Sequence, residues 1–389
     1  MTSHFTETYT LSNGVHMPVL GLGTYRVRDQ EILDACLLEA LRTGYRLIDT
    51  ATVYRNERAI GNSLKRIFEQ DLVPGLRRED IFLTSKLAPK DQGYDACYQA
   101  VQDSLQNLQV DYIDLYLIHW PGTARLKLPD PRNAINRMES WRALEDLYRE
   151  KKLRAIGVSN YTLGHLKQLV QRPHMVHPHP SHHHPHQQQD PLPPGSVASI
   201  QAPTEHRALA STLVIPHVHQ FELHPRLVQK DILDFCAVHK IQVQAYSSLG
   251  EGRLISLDAL PPQKSKRESP SSSPSPPPVA PLGALEIMPY LIQKYFPSVN
   301  MSFERQEEDG VGTDAVTAAT YARYSAKILL RWGLQHGFVV IPKSTQPERI
   351  RDNFDVFEFE LEQEDMQQLD LYSLGNQRTR YCWDPTNVH

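Results

Sequence analysis

Asp49, Tyr54, Lys86 and His119 are the side chains of this 389-residue chain whose types and spacing could do chemistry. Asp49 closes the segment Arg46-Leu47-Ile48-Asp49, Lys86 closes Leu83-Thr84-Ser85-Lys86, and His119 closes Leu115-Tyr116-Leu117-Ile118-His119; Tyr54 follows shortly after Asp49. A phenol titrates near ~10 when unperturbed, so a tyrosine that gives up its proton near neutral pH needs a cation beside it. Lys86 can supply that charge, Asp49 can hold Lys86 in place, and His119 can hydrogen-bond a carbonyl oxygen and fix its direction. Together the four could protonate a carbonyl while it is reduced.

Such a set works only if consecutive strands bring it together. The chain alternates short β-rich runs with longer amphipathic stretches, the pattern of parallel βαβ units. A small hairpin turned at Asn13-Gly14 precedes a first barrel strand over Val19–Tyr25, and further strands are expected at 46–50, 81–87, 113–120, 153–160, Val218–Leu223, Gln242–Leu249 and Phe338–Ile341. Helical spacing of apolar residues marks Glu31–Leu41, Tyr94–Leu108 and Met138–Glu150. Eight such strands predict a (β/α)8 TIM barrel, in which functional side chains gather at the carboxyl ends of the strands. Neighbouring strands lie about 4.8 Å apart, so the four residues can converge on one small space.

Composition sets bounds on the partners. The 41 basic and 45 acidic residues give a formal net charge of −4, and no dense Lys/Arg block offers a nucleic-acid surface. No apolar run approaches the ~20 residues that span a bilayer, and the opening Met-Thr-Ser-His-Phe-Thr-Glu lacks a secretory core, so a cytoplasmic location without membrane partners is expected; the chain is further expected to be a monomer. Cys36, Cys97, Cys236 and Cys382 are scattered and suit reduced thiols better than disulfides or a metal site.

Residues 8–389 read as one domain broken by three low-complexity stretches. Residues 173–212 are rich in His, Pro and Gln, 260–281 in Ser and Pro, and 298–316 in polar and acidic residues. Such compositions bury too little apolar surface to offset the entropy of ordering and are expected to be mobile insertions. The run His182-His183-His184 reads as part of a flexible tract rather than a metal site of fixed geometry, and no metal is expected.

Longer motifs carry a family resemblance. They are Gly44-Tyr45-Arg46-Leu47-Ile48-Asp49-Thr50-Ala51-Thr52-Val53-Tyr54-Arg55-Asn56-Glu57, Leu117-Ile118-His119-Trp120-Pro121-Gly122, Gly157-Val158-Ser159-Asn160, His219-Gln220-Phe221-Glu222-Leu223-His224-Pro225, Ala245-Tyr246-Ser247-Ser248-Leu249-Gly250 and Ile341-Pro342-Lys343-Ser344. The chain resembles the aldo-keto reductases, NADPH-dependent aldehyde and ketone reductases of the glyoxal and aldose reductase type. The resemblance implies a catalytic tetrad of Tyr54, Lys86, Asp49 and His119. It also implies that Ser159, Asn160 and Gln220 hold the nicotinamide carboxamide, that Tyr246 stacks on the ring, and that Ser247 and Leu249 fold over the pyrophosphate. Lys343, Ser344 and Arg349 would meet the adenosine 2′-phosphate, which favours NADPH over NADH. Asn353 would contact the adenine, and Asp352 stands where the family often has Glu.

Tyr25, Trp120, Tyr381 and Trp383 match positions that line the substrate cleft. No Gly-x-Gly-x-x-Gly is present, and Gly21-Leu22-Gly23 reads as tight strand packing, so the dinucleotide would bind at the carboxyl end of the barrel. The expected activity is NADPH-dependent reduction of a small-molecule carbonyl. The alternative is a regulatory or redox-sensing subunit that keeps its nucleotide on the same barrel.

Overall fold

The computed structural model describes residues 7–172, 213–256, 285–299, 315–374 and 378–389. Strands β1 (Thr8–Thr10) and β2 (His16–Pro18) form an antiparallel hairpin, with Gly14 in the left-handed region (φ +84°). Eight parallel strands follow: β3 (Gly21–Gly23), β4 (Leu47–Asp49), β5 (Phe82–Leu87), β6 (Ile113–Ile118), β7 (Leu153–Ser159), β8 (Val218–Glu222), β9 (Gln242–Tyr246) and β10 (Val339–Val340). They pair in chain order, and a parallel bridge from Leu20 to Val340 joins the last strand to the first. The sheet is thereby a closed barrel, as the spacing of the sequence predicts.

Helices α1 (Gln30–Thr43), α2 (Glu57–Glu69), α3 (Tyr94–Leu108), α4 (Arg132–Arg149), α5 (Leu163–Val170), α6 (Lys230–Val238), α7 (Met288–Tyr295), α8 (Ala315–Gln335), α9 (Pro347–Phe354) and α10 (Gln363–Asp370) complete the described elements. Their ends carry local signals: Asp29 caps α1 by accepting from the Ile32 N–H at 3.0 Å, and Gly44 (φ +123°) closes that helix with its N–H on the Ala40 carbonyl.

Strand parity divides the core. Leu47, Phe82, Leu115, Leu117, Ala155, Val218, Val339 and Ile341 fill the barrel interior, with Leu11 and Met17 of the hairpin plugging its lower end. The opposite faces pack against the helices in a second, larger cluster. Gly21 and Gly157 leave room for this filling: a Cβ on Gly21 would lie 2.0 Å from Leu47 Cδ2, and one on Gly157 2.2 Å from the Val218 carbonyl.

Three expectations change. The helix expected over Met138–Glu150 begins six residues earlier, at Arg132. Its first two turns bury the polar Asn133 and Arg137 and expose the apolar Ile135, with Asn133 donating to the Lys127 and Leu128 carbonyls, so apolar spacing cannot reveal them. Several strands stop short of their apolar runs, because Asn160 (φ +62°) and Ser247 (φ +51°) turn the chain out at the rim. The stretch expected to be an insertion over 298–316 ends inside α8, which starts at Ala315. The insertions expected at 173–212 and 260–281 lie outside the described residues.

Candidate active site

The inward parity of the strands that fills the lower barrel with apolar side chains continues upward into polar ones. Leu47 is followed by Asp49 on β4, Phe82 by Thr84 and Lys86 on β5, Ala155 by Gly157 and Ser159 on β7, and Val218 by Gln220 and Glu222 on β8. The period of two therefore sets Asp49, Lys86, Ser159 and Gln220 on the upper inner wall. Tyr54 sits in the turn Thr52–Tyr54 after β4, and His119 immediately follows β6. Asn56 braces that turn: its amide donates to the carbonyls of Thr24 (3.0 Å) and Val27 (2.8 Å), and its oxygen accepts from Thr50 Oγ1 (2.6 Å).

Lys86 is fully buried, and its Nζ donates to Asp49 Oδ1 at 2.5 Å and to the Thr50 carbonyl at 2.8 Å. One of its three N–H groups remains uncommitted among the described residues. Burial pulls the ammonium below lysine's usual range, and Asp49 offsets part of that shift. The other carboxylate oxygen of Asp49 accepts from Gln220 Nε2 at 2.8 Å, and the same amide donates to Gln244 Oε1 at 2.9 Å. Both Gln220 N–H groups are thus committed inward, which leaves its oxygen as the available acceptor.

Tyr54 lies beside the other members of this set: its ring centroid is 5.0 Å from Lys86 Nζ, 5.7 Å from the His119 ring and 5.0 Å from the Tyr25 ring. Its hydroxyl makes no hydrogen bond among the described residues. The expectation that Lys86 lowers this phenol's pKa is not met. Burial, then the Asp49 charge, raises it well above the usual tyrosine value, because Lys86 is itself desolvated and its charge is matched by Asp49 at contact. Burial and Lys86 push His119 down to about 3, so its imidazole is neutral at pH ~7. His119 Nδ1 is buried without a partner among the described residues.

The residues implied for the nicotinamide are held together on the same rim. Asn160 donates to the His119 carbonyl and to Ser159 Oγ, each at 3.0 Å, and its oxygen accepts the Tyr246 hydroxyl at 2.6 Å. Ser247 and Leu249 follow directly, and between them Ser248 Oγ is buried with no partner among the described residues. Lys343, Ser344, Arg349 and Asn353 form a separate group after β10 and along α9. Lys343 and Arg349 are exposed and make no ion pair among the described residues, Ser344 accepts from the Gln346 N–H at 3.0 Å, and Asn353 is buried. Asp352 is engaged by Arg323 and turned to that ion pair.

Aromatic side chains stand above the tetrad. Trp120 meets Trp383 edge-on at 6.3 Å, Tyr25 is 40% exposed and Trp383 72% exposed, so Trp383 does not pin the tail to the barrel. That task falls to Tyr381, beside His224 at 5.1 Å, and to buried Val388, whose carbonyl lies 2.8 Å from His165 Nε2. Gln244, Asn56 and Glu222 carry no separate signal in the sequence, although the inward period of β8 and β9 contains the first and last. Among the described residues all four cysteines are free, no group of side chains could hold a metal ion, and no helix is long and apolar enough to cross a membrane.

Comparison with known proteins bears directly on this arrangement. The model of the "Aldo/keto reductase family" matches residues 19–189 and 196–373. An uncharacterized oxidoreductase of Bacillus subtilis is 33% identical over 387 residues, covering 100% of this chain and 99% of that protein. The glyoxal reductase of the same organism is 33% identical over 370 residues, covering 95% and 94%. The crystal structure of an aldo/keto reductase from Brucella melitensis superimposes with a TM-score of 0.62 at 30% identity, covering 94% of this chain and 97% of that one.

Proposed function

The chain belongs to the aldo/keto reductase family and is an NADP-dependent oxidoreductase, and on that premise we propose that it reduces small aldehydes or ketones with Tyr54 as proton donor. The observation that carries this reading is the convergence of Tyr54, with its hydroxyl proton uncommitted, on the buried Asp49–Lys86 pair and neutral His119. The glyoxal reductase relative directs the first choice of substrate toward small dicarbonyls.

The chain's own groups suit the cofactor. Lys343 and Arg349 present to a phosphate cations that make no ion pair among the described residues, the second on the first turn of α9, where the helix dipole also favours an anion. The orphaned Ser248 Oγ is a buried donor on the segment assigned to the pyrophosphate, the Gln220 oxygen can accept a carboxamide N–H, and Asn160 fixes the Tyr246 ring. When bound, NADPH supplies the hydride.

His119, being neutral, offers a ring N–H to the carbonyl oxygen without adding a charge that Lys86 would oppose. Tyr54 then transfers its proton to the same oxygen. Its raised pKa keeps the phenol protonated and loaded at neutral pH. The costly species is the phenolate left behind, and the uncommitted N–H of Lys86 stabilises it while Asp49 and Thr50 hold the ammonium in place. Tyr25, Trp120 and Trp383 offer apolar faces to the rest of the substrate.

The test is consumption of NADPH, followed by the absorbance of the reduced nicotinamide, with glyoxal and a panel of aliphatic and aromatic aldehydes. Turnover with several of them is expected. NADPH binding without any carbonyl-dependent oxidation would favour a nucleotide-binding regulatory subunit instead.

A further inference from the structure

β8 carries a second inward carboxylate that the proposed chemistry does not use. Glu222 lies two residues above Gln220, on the same face of the strand, and is fully buried. Its Oε1 accepts the backbone N–H of Tyr381 at 2.6 Å and faces His224 Nε2 at 3.1 Å. Its Oε2 accepts the backbone N–H of Cys382 at 3.0 Å, and the Arg380 guanidinium stands 3.8 Å away. A carboxylate is an acceptor only, and here its two oxygens take the amides of two consecutive residues of a segment more than 150 positions away in the chain.

These two residues stand at a junction. Cys382 Sγ lies 3.3 Å from Ser247 Oγ, on the segment assigned to the pyrophosphate, and the next residue is Trp383, which meets Trp120. Farther on, the tail is held again by His165 at the Val388 carbonyl and by Arg137 at the His389 carbonyl (2.9 Å). Trp383 is thus suspended between two anchors, with Glu222 the nearer. The same strand that steadies Asp49 through Gln220 therefore also fixes the aromatic wall.

We propose that Glu222 is a positioning residue that, by holding the Tyr381 and Cys382 amides, sets where Trp383 stands and so which carbonyl substrates the site accepts. The inference rests on the carbonyl reductase reading above. Removing the acceptor frees the backbone beneath the wall while leaving Asp49, Lys86, Tyr54 and the phosphate-facing cations in place. A bulky aromatic aldehyde that needs the Trp383 face loses binding, whereas glyoxal, too small to reach it, is affected far less.

Two readouts test this. In the unmodified full chain, hydrogen exchange at the Tyr381 and Cys382 amides should be slower than at exposed amides of the same tail by at least about tenfold; Glu222→Ala should erase that protection at both amides, and Glu222→Gln, which keeps one acceptor oxygen, at one of them. In the same variants KM for an aromatic aldehyde should rise about tenfold and KM for glyoxal about twofold or less, with the single-turnover rate at saturation within about twofold of the parent. Unprotected amides in the unmodified chain, or an equal KM rise for both substrates, would overturn the proposal. Absence of any carbonyl turnover in the parent would instead refute the reductase reading. The exchange measurement on the unmodified chain stands even if neither variant folds.

Discussion

The two ends of the barrel each hold a buried aspartate, a cation and a tyrosine, yet the two groups are built differently. At the amino end of the strands, on the outer face of β6, Asp114 accepts from Arg78 (2.7 Å), Arg154 (2.6 Å) and the Leu83 N–H (3.0 Å), and the two guanidinium groups flank Tyr112 at 4.2 and 5.8 Å from its ring centroid. At the carboxyl end Asp49 holds Lys86, and Lys86 lies 5.0 Å from the Tyr54 ring. The lower cations are arginines, which stay charged and sit partly in water. The upper cation is a dry lysine of lowered pKa with an N–H to spare, and the same end carries four buried polar atoms without a partner among the described residues: His119 Nδ1, Thr84 Oγ1, Gln244 Nε2 and Ser248 Oγ. Arg78 Nε at the lower end is likewise without a partner among the described residues, so the two ends differ in the kind of group left uncommitted: a guanidinium that keeps its proton below, and a lysine, an imidazole and hydroxyls above.

That contrast is breakable by mutation. Lys86→Met should lower carbonyl reduction by about 10²–10⁴-fold and also destabilise the fold by ~3–5 kcal/mol, because Asp49 loses its buried partner. Steady-state rates and denaturant titration measure the two losses; parental turnover would place Lys86 with the structural pairs. Asp114→Asn at the other end should cost ~1–3 kcal/mol of stability by weakening both arginine contacts, while turnover per folded molecule stays within about twofold. A comparable loss of rate there would erase the distinction between the two ends.

Arg349→Ala should weaken NADPH binding roughly tenfold to a hundredfold and leave NADH nearly unaffected, since a charge-assisted hydrogen bond contributes ~1.5–3 kcal/mol. Cofactor titration of both nucleotides decides it, and equal losses would remove Arg349 from the phosphate site.

The smallest effect is one of pH. Burial first of all pushes His119 and His219 down to about 3 and His165 and His217 down to about 4. Unfolded imidazoles take up protons below ~6.5 while these folded ones stay neutral, so their contribution is complete above that pH and is lost as pH falls through ~6.5 toward 4. The melting temperature should drop by several degrees, ~5–10 °C, between pH ~7 and pH ~5. A flat profile over that interval would show that the imidazoles are not held neutral.

Much of this was legible in the sequence, for reasons that individual residues make clear. Asp49, Lys86 and His119 end apolar runs, and a parallel barrel sends the ends of its strands to one rim, so type and position sufficed. The bounds of the strands were less legible, because the apolar pattern runs on past the left-handed turns at Asn160 and Ser247. Asn133 and Arg137 hid the start of α4, since buried polar residues that satisfy loop carbonyls look like surface residues in a periodicity. Glu222 was invisible as a participant because its partners, the Tyr381 and Cys382 amides, come from a distant segment, and Gln244 because its contact with Gln220 follows from the register of two neighbouring strands.

The proposed reaction turns on proton donation by Tyr54. Tyr54→Phe keeps the ring against Lys86, His119 and Tyr25 and removes only the hydroxyl, so the variant should fold and bind NADPH nearly as the parent does. Single-turnover oxidation of bound NADPH by a saturating aldehyde isolates the chemical step from product release. The expected result is a rate lower by about 10²–10⁴-fold, the usual contribution of a positioned general acid. Oxidation by Tyr54→Phe at the parental rate would contradict the account and assign the proton to another group.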